Sequence, residues 1–486
     1  MKFNRLKQRF TTLIGQPLPE THPHLLQPNE ISPFLLLSTF RQRRSKLASK
    51  MRKNSMAIIG GYGLRYATGS IFYPFHQNND LLYFTGFNEK DSAFILEKDH
   101  EGIEKFTLFL NEKNKFDEVW DGPVCGTELS KKYFNANNSY PIQQFKSILK
   151  NLILEKLKKQ DSLRIYTDLP IDVTSIEKSF ELLNLPVNIG DVSHSASLKK
   201  FDSSISKFLK NCFTPNESKA EKFHDEGVLE FSKLDKIIQE ERLYKSKEEI
   251  EILKKCGKIS GKAFIETMKS TKPYITEHFL QALIEFNFKK FGGEKLSYVP
   301  VVAGGERALI IHYVINNQIV KDGDLILMDA GCEYGMRILP LYFPKDFLIF
   351  NIIKIGGYVS DITRTWPVNG KFTVGQKALY EAVLKANKES IKEINQLYPH
   401  HISHYLGMDV HDTPLISRML KLKENMVVTI EPGLYIPNST NYSEEFRGIG
   451  IRIEDDVVVT KDGEPLVLSK NCPKEVHELE SIIGTS

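Results

Sequence analysis

Three carboxylates in the C-terminal half of the chain stand where apolar strand residues are expected. Asp329 follows the run LILM, Glu431 follows VVTI, and Glu454 lies between GIRI and DDVVV. Burying an ionised carboxylate is costly unless a positive charge meets it. One such residue alone could sit at a strand end and reach solvent or a backbone N–H. Three of them together indicate a cation-binding site.

A fourth carboxylate and a group of histidines extend this set. Asp361 lies in GGYVSDITRTW, and the segment PHHISHYLGMDVHDTP concentrates His400, His401, His404 and His411. Four carboxylates and one neutral imidazole balance the charge of two divalent cations. Hard oxygen ligands with a single nitrogen favour Mn²⁺, with Co²⁺ or Zn²⁺ as alternatives. Two such ions, about 3.5–4 Å apart, can share a water and polarise a carbonyl group.

The composition excludes several classes of protein. The 486 residues predict two or three domains, and 41% apolar residues suffice for packed cores. A net charge of +4, with basic and acidic residues mixed, lacks the basic stripe of a nucleic-acid-binding protein. No apolar run reaches about 18 residues, so we expect no membrane span. Five scattered cysteines without a C-x-x-C pair are typical of a reducing compartment.

The first fourteen residues, MKFNRLKQRFTTLI, are basic and free of acidic residues. They carry Lys2, Arg5, Lys7 and Arg9, and the first acidic residue is Glu20. Apolar residues recur on one helical face of this segment. A basic amphipathic start predicts a mitochondrial targeting segment over residues 1–14. The alternative is an ordinary basic N-terminus.

The next part of the chain predicts an α/β N-terminal domain over residues 15–240. Residues 15–45 are expected to be extended. Residues 45–200 alternate the strand-like runs MAIIGG, LLYFTGF, SAFILE and KFTLFL with a helix, LKNLILEKLKK. Residues 202–240 are polar and end in a helical stretch, LEFSKLDKIIQEE, so we interpret them as a linker.

Residues 241–486 predict a second domain of the α+β class. Ser246 and Glu249 form a capping box that begins a helix. A second helix is expected to end at Gly292. The runs YVPVVAGG, DLILMDAG, VVTIEPGLYI and GIRIEDDVVVT then predict strands of mainly antiparallel type.

Several motifs resemble the "pita-bread" metallopeptidases of the aminopeptidase P and prolidase group. They are DAGCEY, SDITRTWPVNG, HYLGMDVHD, TIEPGLYIP and FRGIGIRIEDDVVVT. GQPLPETHPHLLQP, FHQNNDLLYFTGF and VWDGPVCGT are similar to the mitochondrial branch of that family, the intermediate cleaving peptidases. The resemblance covers nearly the whole chain from Gly15. It implies an aminopeptidase P N-terminal domain followed by a pita-bread catalytic domain.

The resemblance also implies a role for each residue of the candidate metal site. The implied metal ligands, with Asp361 and Glu454 bridging two ions, are Asp329, Asp361, His404, Glu431 and Glu454. Glu431 would in addition carry a proton from the attacking water to the leaving nitrogen. The implied cofactor is two Mn²⁺ ions, with Co²⁺ or Zn²⁺ as alternatives.

Further residues match family positions around the substrate. His312 and His411 would hold the substrate and stabilise the tetrahedral intermediate, and His400 and Arg452 would support substrate binding. Trp120 and Asp121 match a segment that helps to build the site of a neighbouring subunit, which implies a homodimer. Gly433, Gly448 and Gly450 are interpreted as residues of backbone turns.

The implied activity is removal of the N-terminal residue of a peptide or protein, typically before proline. Proline lacks an N–H and has a fixed φ, so an X-Pro bond requires a dedicated pocket. The mitochondrial branch instead trims one residue from imported proteins, and the sequence leaves both preferences open. The alternatives are a catalytically silent pita-bread module that binds peptide or protein and, among enzymes, a prolidase. The long N-terminal domain disfavours a methionine aminopeptidase.

Two regions depart from the family pattern. Residues Met336 to Gly356, MRILPLYFPKDFLIFNIIKIG, lengthen the connection between Asp329 and Asp361. The connection from Asp361 to His404 is shortened near residues 395–398, where a helix and its flanking strand are missing. We interpret both as gene-model or splicing errors. Because the extra segment would form an exposed apolar patch, we expect a chain that contains it to fold poorly or to be inactive.

Overall fold

The computed structural model describes residues 15–23, 25–159, 162–167, 187–189, 228–334, 357–393, 403–461 and 463–485. The chain divides into two compact units, Met1–Glu241 and Arg242–Ser486. The predicted targeting segment, the extra residues 336–356 and the shortened region near 395–398 lie outside the described residues. None of the helices in the described part of the chain has the length and apolar composition that a membrane crossing requires.

The first unit contains eleven strands and five complete helices among its described residues. The strands are β1 (Glu30–Ser32), β2 (Leu35–Leu36), β3 (Ser55–Gly60), β4 (Tyr66–Thr68), β5 (Ile71–Phe72), β6 (Ala93–Lys98), β7 (Glu104–Leu110), β8 (Asn138–Pro141), β9 (Ser162–Thr167), β10 (Val187–Ile189) and β11 (Val228–Ser232). The helices are α1 (Leu37–Lys50), α2 (Asn79–Thr85), α3 (Lys115–Asp121), α4 (Gly126–Phe134) and α5 (Phe145–Lys159).

A seven-stranded mixed sheet forms the centre of this unit. Its strand order is β10-β11-β9-β3-β6-β7-β8. β9 pairs in parallel with β3 and β11, whereas β6 pairs antiparallel with β3 and β7. Apolar residues of β3, β6, β7 and β9 pack against Phe145, Leu149 and Ile153 of α5. The sheet and its helices confirm the predicted α/β class.

Three local expectations in this unit were wrong. LLYFTGF is not a strand but most of α2, whose N-cap Asn78 accepts a hydrogen bond from the backbone N–H of Asp80 and whose C-cap Gly86 has φ 67°. Residues 15–45 are not extended throughout, because α1 begins at Leu37. The stretch LEFSKLDKIIQEE, predicted as a helix at the end of a linker, begins in a strand, β11. A helix, α6 (Asp235–Leu243), starts only after that strand. This strand of the central sheet was not predicted, because the residues around it are polar.

Two helix boundaries of the second unit, the start of one helix and the end of the next, are as the sequence predicts. α7 (Lys247–Lys269) starts with the predicted capping box, in which Ser246 and Glu249 each bond the other's backbone N–H. α8 (Glu277–Phe291) ends at Gly292, whose φ of 101° suits a residue without a side chain. Two more helices follow, α9 (Val374–Lys392) and α10 (Val476–Ile482).

The strands of the second unit form several small antiparallel sheets. The strands are β12 (Gly293–Leu296), β13 (Val301–Gly304), β14 (Leu325–Ala330), β15 (Cys332–Tyr334), β16 (Tyr358–Val359), β17 (Ile362–Pro367), β18 (Val427–Ile430), β19 (Gly433–Ile436), β20 (Ile449–Arg452), β21 (Asp455–Val458) and β22 (Leu466–Val467). They pair in the orders β12-β15-β16, β13-β14-β17, β18-β21-β22 and β19-β20. Helices and antiparallel sheets together confirm the predicted α+β class.

A close approach at Gly331 joins two of these sheets. A Cβ atom added at Gly331 would lie 1.8 Å from the carbonyl oxygen of Ser360, which no side chain can tolerate. The absence of a side chain therefore lets the chain after Asp329 pass directly beside the residue that precedes Asp361. Of the three glycines predicted in turns, Gly448 lies outside the strands, but Gly433 and Gly450 lie in β19 and β20, so the prediction was wrong for these two. Gly448 has φ 70°, and a Cβ at Gly450 would lie 2.5 Å from the carbonyl oxygen of Ala308.

Candidate metal centre

The four carboxylates predicted from the sequence lie where the chain passes from one small sheet to another. Asp361 stands between β16 and β17, Glu431 between β18 and β19, and Glu454 between β20 and β21. Asp329 lies near the end of β14, two residues before the close approach at Gly331. Asp361, Glu431 and Glu454 are therefore outside the regular alternation of a strand, whereas Asp329 is still paired within β14. The side chains can therefore turn toward one point from several sheets.

Three of the predicted ligands form a compact buried group. One ligand atom each from Asp361, His404 and Glu454 lies within 4.8 Å of the others, and all three residues are buried. The His404 Nε2 atom lies 3.3 Å from Asp361 Oδ2 and 3.6 Å from Glu431 Oε1. His404 is fixed through its backbone, because its N–H donates to Thr429 Oγ1 and its carbonyl accepts from the Thr429 N–H.

Asp329 joins this group through a tyrosine. The Tyr298 hydroxyl oxygen lies 2.5 Å from Oδ1 of Asp329 and 2.5 Å from Oδ1 of Asp361. A phenol has one hydrogen to donate. The second contact therefore needs either a proton on one carboxyl group or a cation between the two. Burial and the neighbouring carboxylates raise the pKa of Tyr298 well above its ordinary value, so the hydroxyl remains protonated.

The electrostatics of the site favour added positive charge. Burial raises the pKa of Asp329 to about 7 against the opposing effect of Arg452. Burial, together with the charges of Asp361 and Glu431, raises the pKa of Glu454 well above its usual range. Burial also raises the pKa of Glu431, against the opposing charge of His404. Without a cation the site therefore favours the protonated forms of these carboxylates, and binding of a metal ion would displace those protons.

Asp361 and His404 behave as a pair. Burial alone would raise the pKa of Asp361, but the hydrogen bond with His404 and the charge of that imidazole outweigh it and lower the pKa. Burial would lower the pKa of His404, and the contacts with Asp361 and Glu431 raise it instead. In the absence of metal, the contact with Asp361 thus favours the protonated form of His404.

A buried arginine holds one side of the site. Arg452 Nη2 donates to Asp329 Oδ2 at 2.6 Å, Nη1 donates to the Tyr435 hydroxyl, and Nε donates to Thr363 Oγ1. The Thr363 hydroxyl in turn donates to Glu454 Oε2 at 2.7 Å. The structure therefore places Arg452, predicted at the substrate, in direct contact with a predicted ligand.

Sequence reasoning missed several residues of this network. Tyr298, Thr363 and Tyr435 were not singled out, and neither was Asp456, whose carboxylate accepts the backbone N–H of Asp361 at 3.2 Å. Hydroxyl-bearing residues are common in strands and in the connections between them, so no sequence signal marked the first three. Asp456 could have been suspected, because it is a further carboxylate within the same apolar run.

The residues predicted to bind the substrate differ in their position relative to the metal ligands and in their exposure. The His411 ring meets the His404 ring edge-on, with centroids 4.5 Å apart. Burial and the positive charges of His404, Arg418 and His312 lower the pKa of His411, so this imidazole is neutral near pH 7. His312 is exposed on the segment that follows β13. His400 lies outside the described residues. In the first unit, Trp120 is 78% exposed and Asp121 pairs with Lys90.

The residues fit divalent metal ions. Four carboxylates and an imidazole converge from separate sheets, and the raised pKa values of Asp329, Glu431 and Glu454 are consistent with a lack of positive charge between them. Hard oxygen ligands with one nitrogen suit Mn²⁺, Co²⁺ or Zn²⁺.

Comparisons with protein families match both units. The N-terminal domain of aminopeptidase P matches residues 40–160. The metallopeptidase family M24 matches residues 251–338, 344–396 and 392–461. The first break in the M24 match, at residues 339–343, lies inside the extra segment predicted from the sequence.

Known relatives are similar over nearly the whole chain. Xaa-Pro aminopeptidase 3 of Rattus norvegicus is 35% identical over 525 aligned positions, which cover 96% of this chain and 90% of the relative. The alignment is longer than this chain, so the relative has residues that this chain lacks. The mitochondrial intermediate cleaving peptidase 55 of Arabidopsis thaliana is 32% identical and covers 97% of this chain and 88% of the relative.

Solved structures share the fold. Intermediate cleaving peptidase 55 of Saccharomyces cerevisiae superimposes with a TM-score of 0.71 at 30% identity and covers 94% of this chain and 99% of the solved chain. Zinc-substituted aminopeptidase P of Escherichia coli, in complex with product, has a TM-score of 0.70 at 27% identity and covers 92% and 98% of the two chains.

Proposed function

Because this chain belongs to the metallopeptidase family M24, in its aminopeptidase P branch, it is a metal-dependent aminopeptidase, and we propose that it cleaves the first bond of peptides with proline in the second position. The observation that carries the proposal is the buried group of Asp361, His404 and Glu454, with Glu431 beside His404. Peptide N-termini are its substrates, and a pair of divalent metal ions is its cofactor.

We propose that Mn²⁺ is the native metal, held by Asp329, Asp361, His404, Glu431 and Glu454. The four carboxylates and one imidazole support this choice over a thiolate-preferring metal. When bound, a pair of divalent cations lowers the pKa of a water between them and polarises the carbonyl group under attack. The first role of these five residues is therefore to keep positive charge next to the peptide bond that is cleaved.

Glu431 is proposed to move the proton. It is the most accessible of the five, with a side chain 27% exposed, and its carboxylate lies beside His404. Burial raises the pKa of Glu431, which suits a group that must accept a proton and then give it to the leaving nitrogen. The adjacent Pro432 and the Thr429 hydroxyl, 3.4 Å from Oε1, restrict the position of this carboxylate.

His411 and His312 are proposed to act on the substrate. A neutral His411 can donate a hydrogen bond to the carbonyl oxygen as negative charge develops on it, and the lowered pKa keeps it neutral. His312 lies close enough to His411 to contribute to the lowering of its pKa. Arg452 binds Asp329 and thereby orients a ligand, and we propose that it and His400 also support substrate binding.

The test is a panel of peptides assayed with two Mn²⁺-loaded proteins, the chain as it stands and a version that lacks residues 336–356 and carries a relative's helix before Tyr398. The second version is needed because the chain that contains the extra segment is expected to fold poorly or to be inactive. We expect rapid loss of the first residue from a tripeptide with proline second and slower cleavage when alanine replaces proline. Cleavage confined to X-Pro dipeptides would identify a prolidase instead. Equal rates with proline and alanine would favour broad single-residue trimming, and binding without cleavage would favour a silent peptide-binding module.

We also propose that the protein acts in mitochondria on imported proteins, as a homodimer. The Arabidopsis relative is described as mitochondrial. Residues of α3 are well exposed, with Val119 at 81% and Trp120 at 78%, which suits a contact with a second copy.

Targeting is tested by fusing residues 1–30 to a fluorescent reporter. We expect mitochondrial fluorescence, because Lys2, Arg5, Lys7 and Arg9 place positive charge along an amphipathic segment. The matched control replaces these four residues with glutamine and should leave the reporter in the cytosol. Diffuse fluorescence from the unmodified fusion would contradict the targeting proposal and leave the peptidase unaffected.

A further inference from the structure

A second buried charge cluster lies behind the histidines of the site. The Asp412 carboxylate accepts from Lys245 Nζ at 3.0 Å and from Arg242 Nη2 at 2.7 Å. Only 1% of the Asp412 and Lys245 side chains is exposed. Arg242 also pairs with Asp409 at 2.6 Å, but the Asp409 side chain is 47% exposed. The cluster thus contains two cations and two anions, and its buried centre is Asp412.

This cluster holds the segment that carries His404 and His411. The Asp412 N–H donates to the Tyr405 carbonyl at 2.8 Å, which closes the segment into a loop. A Cβ atom added at Gly407 would lie 2.1 Å from Asp412 Oδ2, so the carboxylate packs directly against the Gly407 backbone. At the other end, the Leu406 N–H donates to the Val427 carbonyl and ties the loop to β18.

The backbone beside Asp412 is itself unusual. Thr413 is 1% exposed and has φ 49°, in the left-handed region that β-branched residues rarely adopt. Such conformations persist only where the surroundings enforce them, and they concentrate at functional sites. The residue before Thr413, Asp412, is held by ion pairs with Arg242 and Lys245.

A buried ion pair is a poor way to stabilise a fold, because the loss of hydration offsets most of the attraction. Its directional bonds do, however, restrict a loop to one geometry. Asp412 directly follows His411, whose ring meets His404 at a centroid distance of 4.5 Å. The fixed carboxylate therefore constrains the imidazole on the adjacent residue.

We propose that Asp412, anchored by Lys245 and Arg242, is a positioning residue that holds His411 in the orientation needed to act on the substrate. The inference rests on the role proposed above for His411. It deepens that role by naming the residues on which it depends.

The test compares two aspartates of one loop in the full-length, Mn²⁺-loaded protein. Asp412→Asn keeps the size of the side chain but loses the ion pairs, and kcat should fall roughly 10- to 100-fold with little change in KM. The matched control, Asp409→Asn, removes the exposed partner of the same arginine and should change kcat by less than about twofold. Metal content is measured on both variants, so that an effect through His404 is recognised.

A double-mutant cycle with His411→Ala separates positioning from general stability. If Asp412 acts through His411, Asp412→Asn should lower kcat by less than about twofold once His411 is already alanine. An equal loss in both backgrounds would overturn the positioning role. A His411→Ala variant with unchanged kcat would instead overturn the proposed function of His411. If Asp412→Asn does not fold, Arg242→Gln, which leaves the Lys245 pair intact, replaces it in the cycle.

Discussion

Replacing Glu431 by glutamine is expected to lower kcat by roughly 10²- to 10⁴-fold while the chain remains folded, because the amide can still contact a metal ion but cannot accept a proton. Glu431 is suited to this role by its position after β18 and by its partly open side chain, 27% exposed beside the buried His404. The measurement is the turnover of a tripeptide with proline in the second position. Circular dichroism and metal content are measured on the same samples to show that the variant is folded and contains metal.

The matched control is Glu444→Gln, an isosteric change at an exposed glutamate of the same unit. It should leave turnover unchanged. Glu431→Gln with near-normal kcat and full metal content would be incompatible with a proton-transfer role for this carboxylate. Loss of metal together with loss of turnover would show that Glu431 acts mainly as a ligand.

Removing metal with a chelator is expected to abolish turnover and to lower the melting temperature, and added Mn²⁺ should restore both. The metal-free site brings together carboxylates with raised pKa values, about 7 for Asp329 and well above the usual range for Glu454. A folded-state pKa raised above the unfolded value means that folding favours the protonated form. That contribution is complete below about pH 4 and is lost as the pH rises through about 7.

The chelated protein should therefore lose stability between pH 5 and pH 8. His404 acts in the same direction, since its pKa is raised in the folded state. Asp361, whose pKa is lowered, is ionised throughout this range and does not oppose the change. Melting temperatures are measured across this range with and without Mn²⁺, and bound metal by elemental analysis. A metal-free melting temperature that rises with pH, or fewer than about one ion per reconstituted chain, would argue against a two-ion site.

The convergence of these carboxylates was largely predictable because the residues break a strong local pattern. Asp329, Glu431 and Glu454 interrupt apolar runs, and such interruptions are costly unless they serve a purpose. The structure explains the interruptions in VVTIEPGLYI and GIRIEDDVVVT as changes from one sheet to another. The capping box of α7 was predictable for a similar reason, since its two hydrogen bonds depend on residues three positions apart.

Other features depended on contacts distant in sequence. Tyr298 contacts Asp329 and Asp361, which lie 31 and 63 residues away, and a tyrosine between two strands carries no local mark of that role. Lys245 and Asp412 are 167 residues apart, and each looks like an ordinary surface charge. The segment LLYFTGF was mistaken for a strand because α2 is buried on all sides from Leu81 to Thr85, which removes the helical period.

The passage of the chain between small sheets has a consequence for hydrogen exchange. The sheets β18-β21-β22 and β19-β20 have three and two strands, sizes that are marginal in isolation. Glu431 and Glu454 lie at the two crossings between them, and Asp361 lies at a third crossing elsewhere in the unit. Ions bound by these residues would link the connections between the sheets. The small sheets would then open as one cooperative unit, and their amides would exchange together. Without bound ions, each sheet would open separately, and its amide protons would exchange on a timescale of their own.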